Sequence, residues 1–140
     1  MDKVRGLGNL VLINGAILVG VAIPHLIDDF IFEVPEEFGL SNIQAQILAG
    51  FFAAMLVAVF SSVARGQRWG FIGSAFLGGF LALAGILKHM PKILQPGPYW
   101  SGLFSEILIG VVIVSGISLL IISLCALRIS VQPSQKEHDG

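Results

Sequence analysis

His25 and Asp28 stand three residues apart, one helical turn, a spacing at which a nitrogen and an oxygen ligand can share one ion. Asp29 follows directly, and His89 and Glu106 would complete a nitrogen and oxygen set suited to zinc or iron. The same groups suit other chemistry. A histidine beside a carboxylate moves protons near neutral pH, the basis of acid–base catalysis on a membrane-soluble substrate. Polar groups converging above an apolar bundle could also hold a lipid head group, a quinone or a small hydrophobic substrate. The plainer reading is a charge-balanced rim. His25 opens the stretch HLIDDFIFEVPEEFG, which carries five of the nine carboxylates, and Lys88, Lys92 and a protonated His89 would pair with them.

The elements that must position these residues are hydrophobic. Of the 140 residues 55% are hydrophobic and 12% are charged, with a mean hydropathy of +0.87. A soluble domain would be about one-quarter charged. Residues 6–27, 38–64, 69–87 and 107–127 carry no formal charge, and about 20 such residues suffice to cross a bilayer. The expected fold is therefore an all-α integral membrane protein, a bundle of four transmembrane helices. A single four-span domain would cover 1–128, with spans near 6–28, 41–64, 69–90 and 101–127. A short polar tail, 129–140, follows. The first apolar stretch is longer than the h-region of a cleaved signal peptide, and no small-x-small site precedes the acidic stretch, so it reads as a retained helix.

Basic residues set the orientation. Lys3, Arg5, Arg65, Arg68, Arg128 and Lys136 share one side of a four-span chain, whereas only Lys88 and Lys92 fall with the acidic stretch. By the positive-inside rule both termini are cytoplasmic, and the expected location is the cytoplasmic (plasma) membrane. Pro35 and Gly39 punctuate the first outer connection, Ser41 or Asn42 can cap the second span, and Pro91, Pro96, Gly97 and Pro98 break up the other outer connection. Trp69, Tyr99 and Trp100 stand where an interfacial aromatic belt belongs. Cys125, the lone cysteine, excludes an intrachain disulfide and reads as a small buried hydrophobe of the fourth span.

Helices in lipid associate where small residues let them approach closely. The third span carries Gly70, Ser74, Gly78, Ala82 and Gly85, and the second carries Gln46, Gly50, Ala54, Ala58 and Ser62. Both stripes are expected to be packing grooves, within one bundle or a homo-oligomer. Counting the helical rise from the cytoplasmic ends puts His25 roughly 29 Å, His89 roughly 30 Å and Glu106 roughly 32 Å up their spans. Gln46 and Gln44 lie roughly 27–30 Å up theirs. Every helix thus presents a polar group near one depth. The expected ligand-binding cap is His25, Asp28, Asp29, Gln46, His89 and Glu106, with Pro24 able to kink the first helix beneath it and Gly110 sharing the Glu106 face.

No Gly-rich phosphate loop, nucleophile elbow or basic nucleic-acid patch occurs. The middle of each span lacks an ionisable group, which argues against proton-coupled transport except through an oligomer. The expected function is a small accessory or ligand-binding membrane component working at its outward cap. Its expected partners are the lipid bilayer and another membrane protein or a second copy. The alternative is a small membrane enzyme or metal-binding protein using the His/Asp/Glu cluster; no cofactor is indicated.

Overall fold

A computed structural model describes residues 2–32, 34–96 and 102–131, and these form helices joined by short turns, with no strand among them. The elements are α1 (Asp2–Ile31), α2 (Val34–Glu37), α3 (Asn42–Ala64), α4 (Arg68–Ile93) and α5 (Leu103–Val131). Four of them, α1, α3, α4 and α5, are long and apolar enough to cross a membrane. Tyr99 and Trp100, Gly97 and Pro98, Glu33 and the tail with Lys136 lie outside the described residues.

The long helices extend past their charge-free cores. Lys3 and Arg5 lie in the first turns of α1, and Asp28 and Asp29 in its last, so these aspartates are helical rather than part of a loop. Pro24 sits within α1, and Pro91 within α4. Pro91 therefore does not break up the connection as expected. It lies in the last turn of α4, where the lost N–H costs one ladder bond and no long stretch of helix depends on it. Ser41 caps α3: its hydroxyl accepts from the Gln44 N–H, and the Gln44 side chain accepts from the Ser41 N–H, a reciprocal capping box. Between α3 and α4 the chain reverses at Gly66, whose φ of 68° is left-handed.

The four long helices form a ring in which α5 packs extensively on both α4 and α1, while α3 leans on α4 and touches α1 lightly. Val11 and Leu18 of α1, Phe71 of α4 and Ile109, Val112, Leu119 and Ala126 of α5 fill the centre with Val63 of α3. Asn14 of α1 donates from Nδ2 to the Ser115 carbonyl of α5 at 2.8 Å, which satisfies its amide inside the apolar contact.

The small-residue stripe of α4 is buried throughout, from Gly70 to Gly85, and continues into His89. At its centre an added Cβ on Gly78 would lie 2.5 Å from the Gly116 carbonyl oxygen of α5. The stripe on α3 behaves otherwise. Gln46, Gly50, Ala54 and Ala58 are exposed, and nothing lies within 4 Å of the place a Gly50 Cβ would occupy. Within the chain, then, the stripe of the second span forms no groove, and the homo-oligomer alternative is the one it leaves. The inward face of α3 is built instead from Ala45, Leu56 and Val63. Val59 of α3 fits the notch at Gly73, and the Phe60 ring fits the notch at Gly15 of α1. One small-residue face per contact is enough for close approach, and here α4 and α1 provide it.

Cys125 is exposed on α5, not buried as expected. Ser123 and Ala126 take the inward positions beside it, and one residue step rotates a side chain about 100° around the axis. Trp69 is 78% exposed at the start of α4.

Candidate ligand site at the histidine end

Two helices that lie diagonally across the ring each bring a histidine to the same end of the bundle. His25 of α1 and His89 of α4 meet edge to face, with ring centroids 5.1 Å apart and an interplanar angle of 65°. His89 is placed by the stripe below it, because Gly78, Ala82 and Gly85 fix which face of α4 turns inward. His25 lies eleven residues beyond Asn14, about three turns, and so shares the face that Asn14 holds against α5.

The two adjacent aspartates diverge. Asp29, one turn beyond His25, has Oδ2 at 3.6 Å from His25 Nε2. Asp28 turns toward α5, where it is 4% exposed and accepts from the fully buried Ser105 hydroxyl. The His-x-x-Asp pair read from the sequence is thus replaced by an i, i+4 pair, His25 with Asp29. Ser105 was not anticipated, although it is the residue next to Glu106 at the same height. A small hydroxyl leaves no signal in charge counting.

The remaining expected members sit apart. Gln46 is exposed on the outer face of α3, and Gln44 is engaged in the Ser41 cap. Glu106 is half-buried in the first turn of α5, and Gly110, on its face, is exposed with open space around it. Among the described residues no three His, Cys, Asp or Glu side chains gather as a metal-ligand set.

A cavity of about 220 Å³ lies beside the pair, lined by His25, Asp29, Lys88, His89 and Phe38 above apolar residues of α4 and α5. Neither Gln46 nor Glu106 lines it. His25 Nδ1 and Asp29 Oδ1 are buried without a hydrogen-bond partner. Buried polar atoms are nearly always paired, so two orphans in contacting residues mark an unfinished network.

The short helix α2 and the turn after it close over this end. Lys88 of α4 donates to the Glu37 carboxylate and lies over the Phe38 ring, 4.5 Å from its centroid. This portion of the expected rim forms as an ion pair. The Lys88 hydrogen bond holds the Glu37 carboxyl below its ordinary value of 4.5, against an opposing effect of burial and helped by the charges of Lys88 and Lys92. A depressed folded-state value means stabilisation that is complete above 4.5 and is lost as the pH falls through the lowered value. The pair is largely solvated, so its contribution stays within about 1 kcal/mol. Amide exchange over residues 34–40, corrected for intrinsic rates, should accelerate only in acid, and Lys88→Met should show the acid-like rate at neutral pH. Identical exchange in the two proteins at neutral pH would show that the Lys88–Glu37 pair does not hold residues 34–40 in place.

No family model, curated protein or solved structure matches the chain, so its chemistry has to be read from the arrangement of its own side chains.

Proposed function

We propose that the chain is a four-span membrane protein that binds a small ligand at the outward end of its bundle, with both termini on the cytoplasmic side of the plasma membrane. Orientation is supported by Lys3, Arg5, Arg65, Arg68 and Arg128 at one end, against Asp28, Asp29, Glu36 and Glu37 at the other. The observation that carries the ligand reading is the His25–Asp29 pair, packed against His89 and bordering a cavity, with one unpartnered buried atom on each member. A bound molecule would supply the missing partners. Ligand sites are typically apolar pockets with a few convergent polar groups, which is the composition here.

The test is extraction of small molecules from the purified full chain, with mass spectrometry and metal analysis, beside His25→Ala, Asp29→Asn and Glu106→Gln. A molecule at about one per chain in the wild type is expected to vanish from the first two variants. It should persist in Glu106→Gln, whose side chain does not line the cavity. Equal retention in all four proteins would refute the site.

The enzyme alternative uses the same His25–Asp29 pair as a proton relay. A metal role has less support, since the described residues offer no three-ligand set. A second reading, an accessory subunit, is favoured by the outward stripe of α3. Gln46, Gly50, Ala54 and Ala58 form an exposed small-residue face of the kind on which a helix of a membrane partner or a second copy can settle.

A further inference from the structure

A groove of about 310 Å³ opens sideways between α1 and α3, just below α2. Leu26 and Phe30 of α1 and Leu48, Ala49 and Phe52 of α3 form its walls, and its polar lining is confined to Asp29. Asp29 and Phe38 also line the smaller cavity at the histidines, so the two spaces share a wall. The groove exists because α1 and α3 touch only lightly, with Phe60 seated at Gly15 as their close contact lower down. Access from the end of the bundle is narrowed by Phe38, which Lys88 covers, and by the Lys88–Glu37 pair. Among the described residues, the groove leads to Asp29 between apolar walls.

The head group follows from which atoms lack partners. Asp28 already accepts from Ser105, whereas Asp29 keeps a buried oxygen with none. With any proton of this carboxyl on Oδ2, the oxygen turned toward His25, the unpartnered Oδ1 accepts hydrogen bonds. Nε2 of His25 faces Asp29 Oδ2 at 3.6 Å, and in the tautomer that carries its proton on Nε2 the unpartnered Nδ1 is a second acceptor. Two acceptors at the end of an apolar groove call for a donor.

Resting on the ligand-site reading above, we propose that the ligand is a membrane-borne amphiphile with a hydrogen-bond-donating hydroxyl head, of the long-chain alcohol or phenol class. Its head meets Asp29 and His25, and its apolar body lies in the groove between α1 and α3. It enters sideways from the bilayer, not from water.

The test uses the full chain in nanodiscs, titrated with para-nonylphenol and with para-nonylanisole, which differ only in whether the head oxygen carries a proton. Empty nanodiscs give the partitioning background, and phenol itself serves as a head without a tail. Saturable binding of one nonylphenol per chain, at least about tenfold tighter than nonylanisole, is expected, since tenfold is the ordinary worth of one such hydrogen bond. Asp29→Asn, which adds donors, should erase that preference. Ala49→Trp, which fills the groove, should abolish nonylphenol binding and leave phenol binding in place, which also shows that the variant is folded. Equal affinity for the two nonyl probes, or indifference to Ala49→Trp, would overturn the inference. Phenol binding that depends on His25 but gains nothing from the tail would overturn it and leave the ligand site standing. Failure of every probe to bind saturably would overturn both.

Discussion

Gly78→Ala should cost the bundle on the order of 3 kcal/mol, the upper part of the usual range for overpacking a close contact. The added methyl would sit 2.5 Å from the Gly116 carbonyl oxygen, 2.8 Å from the Leu120 nitrogen and 3.0 Å from Leu119 Cβ. Two of these three atoms are helix backbone, which cannot rotate aside as a side chain does. The two helices would have to separate along their main contact, and neighbouring layers would lose packing as well. Gly116→Ala should behave alike, since its methyl would meet the Gly78 carbonyl oxygen at 2.8 Å. Gly110→Ala is the control on the same helix. Nothing lies within 4 Å of that methyl, and replacing a helical glycine is worth roughly 0.5–1 kcal/mol in favour of the helix. Denaturant titration in micelles checks all three. Equal midpoints for the Gly78 and Gly110 variants would mean that α4 and α5 do not cross at this point.

Ser105→Ala should cost about 1.5–3 kcal/mol, the usual worth of a hydrogen bond to a charged group. Ser105 is fully buried and Asp28 nearly so, and the hydroxyl donates to the carboxylate across the α1–α5 contact. Without the donor, a carboxylate already removed from water loses a partner that solvent cannot readily replace. The same change in an Asp28→Leu background should cost far less, because the hydroxyl then has no carboxylate to serve. That difference, measured as a double-mutant cycle, isolates the pair from the lost oxygen alone. Additive effects would show that the two side chains do not interact. The bond also fixes the last turns of α1 against α5, so the Ser105 variant should bind less of any ligand held by His25.

Much of this architecture is legible in the residues. The charge-free runs mark the four long helices, each long and apolar enough to cross a bilayer. The Gly70–Gly85 stripe marks the buried face of α4 and aims His89 inward, since positions four apart share a face. The equally regular stripe on α3 meets no neighbour within the chain. A row of small residues shows that a helix can be approached closely, not that a neighbour does so, and α3 turns Val59 and Phe60 inward instead. Depth counting brings His25 and His89 to one level, but depth carries no azimuth. Gln46 and Glu106 share the height of the histidines without lining their cavity. The choice between Asp28 and Asp29 as partner of His25 was likewise closed to sequence. It depends on Ser105, 77 residues away, drawing Asp28 to α5.

The contact between α1 and α5 also has a consequence for biogenesis. Asn14 and the Ser115 carbonyl that it reaches are 101 residues apart, so the first helix made finds its principal neighbour only when the last is made. At ribosomal speeds of about 5–20 residues per second, that is a wait of roughly 5–20 s. Through that interval Asn14 and the histidine of the same face have no α5 to cover them. A nascent chain stalled before Ser115 therefore leaves the Asn14 amide without the acceptor that α5 supplies, and completion of α5 covers it.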